Sequence, residues 1–154
     1  MFRLLLLVLC LAGCTPHDRN QWHNGETKRI ISRDTEVFRD GKDHINARTI
    51  ILERDGYRRY YLSITVLRGG PNGPRVLAMY ENGQKLAYTM HDRLRLFCID
   101  HCHRSEIGAI NLSATAFETA ARAGMKIFID GKRRDYPIVV HARLFQSVLA
   151  AGPP

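Results

Sequence analysis

The hexapeptide Cys98-Ile99-Asp100-His101-Cys102-His103 concentrates more reactive side chains than any other stretch of the chain. Three chemistries suit it. In the first, Cys98 and Cys102 close a disulfide. Three intervening residues permit a hairpin tip that brings the two Cα atoms into the bridging range of about 4.4–6.8 Å. The small ring implies about 2 kcal/mol by the chain-entropy relation, which pins a turn rather than a whole domain. In the second, Cys98 and Cys102 join one or two of His91, His101 and His103 as thiolate and imidazole ligands for zinc or copper. No second, distant ligand pair accompanies them. In the third, one thiol is a nucleophile or redox centre with a histidine base. Redox pairs usually carry two residues between their cysteines, and this pair carries three.

No other constellation names a reaction. The chain has no Gly-x-Ser-x-Gly, no phosphate-cradling glycine loop before a helix and no His-Glu-x-x-His. The carboxylates of Asp18, Glu26, Asp34, Glu36 and Asp40 show no spacing that singles out an acid–base pair. His17, His23, His44 and His141 lie far apart. The expectation is a non-catalytic protein with no cofactor.

The N-terminus bears on which of the three thiol chemistries applies. Arg3 precedes an apolar run from Leu4 to Leu9, followed by Leu11-Ala12-Gly13-Cys14. The run falls short of the roughly 20 apolar residues that a membrane-spanning helix needs, so residues 1–13 read as a processed leader. The tetrapeptide resembles the lipobox of bacterial lipoproteins. That resemblance implies a diacylglyceryl group on Cys14, cleavage before it and acylation of the new amine. Several acyl chains at about 0.8 kcal/mol per buried CH₂ anchor firmly. Thr15 follows where an aspartate would favour inner-membrane retention, so the resemblance points to the outer membrane. The plainer alternative is an ordinary secretory leader with incidental cysteines. In either case export sets Cys98 and Cys102 in an oxidising compartment, where a disulfide persists.

Charge narrows the partners. The chain carries 23 Lys and Arg against 15 Asp and Glu, a net +8. A basic domain tethered to a membrane favours anionic neighbours: lipid headgroups, glycan phosphates or an acidic envelope protein. Nucleic acid is not expected at such an address. The basic residues are scattered as Lys28-Arg29, Arg58-Arg59, Arg93, Arg95 and Lys132-Arg133-Arg134, and simple solubility would also explain them.

These residues need a scaffold. Residues 14–27 are polar and read as the lipidated cysteine and its tether, with Trp22 alone among them. Residues 28–154 read as one β-rich domain. Asp55-Gly56, Asn82-Gly83 and Asp130-Gly131 each separate two β-prone runs and suit type I′ hairpin turns. Leu62, Ile64 and Val66 alternate with Tyr61, Ser63 and Thr65, the period of a half-buried strand. Residues 69–74 form a loop. Thr115-Ala116-Phe117-Glu118 has capping-box form, opening a short helix that buries Phe117, Ala120 and Ala121 and stops at Gly124. A last helix over residues 142–150 buries Leu144, Phe145, Val148 and Leu149. The fold class is mainly β: an antiparallel β-sandwich or partly open barrel with two short helices.

From Cys98 onward the order of features resembles the invasion-associated locus B family of bacterial envelope proteins. A close cysteine pair, Cys98 and Cys102, follows a strand. Next come Ala109-Ile110-Asn111-Leu112, a small helix ending Ala120 to Gly124, and Met125-Lys126-Ile127-Phe128-Ile129. Pro137-Ile138-Val139-Val140 and a helix carrying Phe145 and Leu149 close the series. The resemblance covers roughly residues 85–150 and implies an exported, β-rich, non-catalytic domain. The family's early tryptophan-and-cysteine segment has no counterpart, since no cysteine lies between Cys14 and Cys98. Together these readings lead to a lipid-anchored envelope protein acting as a binding or structural module. The alternative is a periplasmic metal-handling protein built on Cys98, Cys102 and the nearby histidines.

Overall fold

A computed structural model describes residues 21–24, 27–69, 73–98 and 102–151. In chain order the elements begin with β1 (Gln21–Asn24), β2 (Thr27–Ile31), β3 (Thr35–Asp40), β4 (Asp43–Arg54) and β5 (Tyr57–Gly69). Then come β6 (Val76–Glu81), β7 (Gln84–Lys85), β8 (Tyr88–Cys98) and β9 (Cys102–Leu112). The chain ends with α1 (Ala114–Ala123), β10 (Met125–Gly131), β11 (Tyr136–Val140) and α2 (Ala142–Ala151).

The long hairpin of β4 and β5 is the backbone of the molecule. Asp55 and Gly56 at its tip take φ of 51° and 76°, the left-handed pair a type I′ turn requires. Register then follows from the turn, with Ile45 opposite Val66 and Ala47 opposite Ile64. Because side chains alternate, Ile45, Ala47, Thr49, Ile51, Leu62, Ile64 and Val66 all reach one buried face. The sheet grows outward in the order β1-β2-β4-β5-β9-β8, with β3 also on β4. A second sheet runs β11-β10-β6-β7. Every pairing is antiparallel, and the two sheets share one core with the helices, a sandwich-like arrangement.

The helices roof that core. Phe117 of α1 stacks at 5.0 Å on Tyr60 and edge-on at 5.2 Å on Phe145 of α2. Gln146 donates to the Ala121 carbonyl at 2.8 Å, joining the two helices. Thr49, fully buried in β4, donates its hydroxyl to the Leu144 carbonyl at 2.8 Å and ties α2 to the sheet.

Several local expectations change. Ser113, not Thr115, caps α1, accepting from the Ala116 amide at 3.1 Å. A cap needs extended backbone. Ser113 directly follows β9 and keeps ψ at 159°, whereas Thr115 already lies inside the helix. Gly124 does end α1, at φ 77°, with its amide on the Ala120 carbonyl. Leu149 is 36% exposed and leaves the buried stripe to Leu144, Phe145 and Val148.

Asn82 and Gly83 form the expected left-handed pair, at φ 48° and 78°. Across that turn Tyr80 and Glu81 pair with Lys85 and Gln84, and the Leu86 amide donates to the Met79 carbonyl at 2.8 Å, before the chain crosses to the other sheet and Tyr88 pairs with Ile110. Asp130-Gly131 is not a turn at all. β10 runs through it, held by β6 on its other side with a bulge between Asp130 and Gly131. The chain reverses over Lys132–Asp135, where the Gly131 amide donates to Asp135 Oδ1 at 3.2 Å. β10 and β11 still pair as expected, Ile129 opposite Tyr136. The first strand, Gln21–Asn24, falls within the stretch read as a tether and pairs with β2.

Candidate functional site

Cys98 and Cys102 sit at the tip of the β8–β9 hairpin. Cys98 and Cys102 are direct register partners. Opposed Cα atoms in an antiparallel ladder lie about 4.5–5.5 Å apart, inside the bridging range. Their side chains, that of His103, and all of His101 lie outside the described residues, as do Cys14 and the leader. His91 is not brought to them. It sits between Met90, opposite Gly108, and Asp92, opposite Ile107. Seven residues of extended strand set it roughly 20 Å from Cys98, so one ion cannot take both. No cluster of three or more metal-ligating side chains occurs among the described residues.

The same end of the sandwich gathers cations. Arg68 ends β5 directly opposite Arg104 of β9, and Gly69 is opposite His103. Both arginines continue the inward-facing alternation of Ile64, Val66 and Glu106, past the point where the apolar core stops. Arg75, before β6, and Lys132 and Arg133, between β10 and β11, line one narrow crevice with Arg68. The Lys132 amide donates to the Arg75 carbonyl at 2.9 Å and closes the two loops on each other. The Gly69 amide donates to the Lys42 carbonyl at 3.2 Å, which adds a further lysine. The crevice interior is only about 10 Å³, room for about one water. This is a surface for contact, not a pocket for enclosure.

Two braces hold this basic pole. At the first, Glu106 is fully buried on β9. Its carboxylate accepts from Arg93 Nε at 3.0 Å, from the Tyr88 hydroxyl at 3.3 Å and from the Val76 amide at 3.3 Å. One carboxylate thereby joins β8, β9 and the start of β6 across both sheets. Tyr88 reaches it by lying over Gly108, where a Cβ would meet the ring at 2.4 Å. Burial, then the Glu106 charge, pushes the Tyr88 phenol well above its ordinary range.

At the second brace, Arg134 pairs with Asp40 and, at 3.3 Å, with Asp43. The Tyr136 hydroxyl donates to the same Asp43 oxygen at 3.3 Å. The guanidinium also lies 5.8 Å from the Phe38 ring centroid and 5.6 Å from that of Tyr136. Burial first, then Asp43, pushes the Tyr136 phenol up to about 12. Arg134 and Arg93 are thus neutralised inside the fold. Among the described residues no ion pair reaches Arg68, Arg75, Arg104, Lys132 or Arg133.

The Arg58-Arg59 cluster does not join the pole. Arg58 pairs with Glu53 at 2.9 Å beside the β4–β5 turn, at the far end of the sheet. Sequence reasoning named Lys132 to Arg134 but not Arg68, Arg104 or Glu106. For Glu106 the signal was present: Glu106, Gly108, Ile110 and Leu112 alternate, and a carboxylate heads an otherwise apolar face. A groove of about 470 Å³ also crosses the outer face of the smaller sheet, lined by Phe128, Pro137, Val139 and Tyr80. Set against known proteins, the chain matches no family model, no curated protein and no solved structure.

Proposed function

We propose that this chain is a lipid-anchored bacterial envelope protein, without catalytic activity, whose β-domain binds an anionic partner at its basic pole. One observation carries the reading. Arg68, Arg75, Arg104, Lys132 and Arg133 come from four separate parts of the chain to one end, with no ion pair to any described carboxylate. Like charges directly opposite in a ladder are unfavourable by some tenths of a kcal/mol, and an anion laid across Arg68 and Arg104 removes that opposition. The shallow crevice suits an extended acidic glycan or the acidic face of an envelope protein rather than a small enclosed ligand. The lipobox-like tetrapeptide at Cys14 supports the anchor. The order of sequence features from Cys98 onward, through its resemblance to the invasion-associated locus B family, supports an exported, non-catalytic binding domain.

The test is retention on an immobilised phosphorylated polysaccharide across a salt series. Association through several cation–anion contacts weakens steeply with salt. Replacing Arg68 and Arg104 together by glutamine should release the protein at clearly lower salt, while replacing Arg58 should leave elution unchanged. Equal behaviour of the two variants rejects the pole as the binding surface. The anchor is tested independently by the intact mass of protein extracted from membranes, which should show residues 14–154 plus acyl groups.

A further inference from the structure

A second cationic site lies elsewhere. A cavity of about 270 Å³ opens where β2 gives way to β3 against the start of α2. Arg33, Arg143 and His141 line it, together with the hydroxyl-bearing Thr35 and Ser147. Among the described residues no ion pair reaches either arginine, and the first turn of α2 holds no acidic side chain. Both hydroxyl protons are already directed inward. Thr35 Oγ1 donates to the Arg33 carbonyl at 3.4 Å, and Ser147 Oγ to the Leu144 carbonyl at 2.8 Å. A ligand therefore meets two guanidinium forks and two hydroxyl lone pairs, with Val37 and Leu144 as the apolar wall.

We propose that this cavity binds a phosphate ester on a short polyol stem, such as the glycerophosphate headgroup of an anionic phospholipid. Guanidinium forks match phosphate oxygens in bidentate fashion. The hydroxyl lone pairs accept from a polyol O–H, and the carbon stem rests on Val37 and Leu144. The volume of about 270 Å³ lies just under the roughly 300–1,000 Å³ of sites for drug-sized ligands, which gives room for a headgroup.

The path of the chain agrees. Gln21 pairs with Ile30, so the chain arriving from residue 20 meets the fold at the end of β2 that leads through Ser32 to Arg33. Cys14 precedes Gln21 by seven residues, a span of at most about 25 Å. If Cys14 carries the anchor, as proposed above, the cavity lies within reach of the headgroup layer. The phosphate chemistry itself does not depend on that anchor.

The experiment uses the full chain in a neutral detergent, whether or not Cys14 is acylated. Glycerol 3-phosphate, monomeric dihexanoyl phosphatidylglycerol and dihexanoyl phosphatidylcholine are titrated by calorimetry. The two anionic probes should bind more tightly than the zwitterionic lipid. Arg33→Gln with Arg143→Gln should weaken them by about tenfold or more, and both positions are exposed, so folding is kept. Lys132→Gln with Arg133→Gln, at the basic pole, should change affinity by less than about twofold. Binding of phosphatidylglycerol identifies a membrane source, and binding of glycerol 3-phosphate alone a soluble one; either upholds the site. No heat from either anionic probe, or equal weakening by both double variants, overturns it. Intact mass settles the anchor separately.

Discussion

At the scale of single residues, Glu106 organises more of the molecule than any group the sequence brought forward. It is a fully buried carboxylate on β9 whose partners come from two further strands, β8 and β6, one in each sheet. Such a group is costly unless every oxygen is satisfied. Gly108 is the condition for it, because only a missing Cβ lets Tyr88 cross to Glu106. Gly108→Ala should therefore displace the ring and destabilise the domain by about 1–3 kcal/mol, read as a lower denaturant midpoint at unchanged slope. Tyr88 and Tyr136 make a second expectation. Both phenols are raised above their ordinary value near 10. Between pH 10 and the Tyr136 value of about 12, the unfolded chain releases protons that the folded one keeps. Stability contributed by these groups is thus complete below pH 10 and declines as pH rises. Phenolate absorbance should show the ionisation of Tyr88 and Tyr136 delayed above pH 10 until the chain unfolds. Full ionisation of all six tyrosines in the folded protein would contradict this.

At the scale of elements, local chemistry was legible where it acts alone. Asp55-Gly56 predicts its turn because left-handed backbone is an intrinsic preference of that pair. The same dipeptide at 130–131 misleads, since β6 holds β10 straight through it. The capping-box pattern at Thr115 loses to Ser113 because the end of β9 decides where extended backbone stops. Ser113→Ala should lower stability by about 1 kcal/mol, and Thr115→Ala by less. Thr49→Val keeps the volume but removes the hydrogen bond to the Leu144 carbonyl. A loss of about 1 kcal/mol is expected in thermal or denaturant unfolding, the net worth of one hydrogen bond, since Ser147 still donates to that carbonyl. The cysteine hairpin belongs here too. With Cys98 opposite Cys102, titration of the denatured mature domain should find no free thiol at these positions. Two thiols appearing only with a chelator would favour metal instead.

At the scale of the whole molecule, the fold class could be read from turn spacing and alternation, but the distribution of charge could not. Lys132-Arg133 is visible as a run, yet Arg68 and Arg104 meet it through strand register alone. Arg33 and Arg143, 110 positions apart in number, share a cavity only because α2 folds back on the gap between β2 and β3. β11 runs from the Arg134–Tyr136 brace to His141, so one short strand separates the two cationic regions. Removing Arg134 should disturb the pole while leaving the cavity's ligand affinity intact, a contrast that calorimetry with glycerol 3-phosphate can measure.

The register of β1 on β2 has a mechanical consequence. Gln21 sits at the open end of that four-residue hairpin arm, opposite Ile30. Tension applied through the N-terminus therefore strips rungs one by one instead of shearing them together, and β1 yields while β2 stays clamped to β4. Releasing residues 21–24 adds about 14 Å of extended chain ahead of β2. In a pulling experiment the domain should show this small, low-force extension before it ruptures, behaving as a body with a built-in shock absorber.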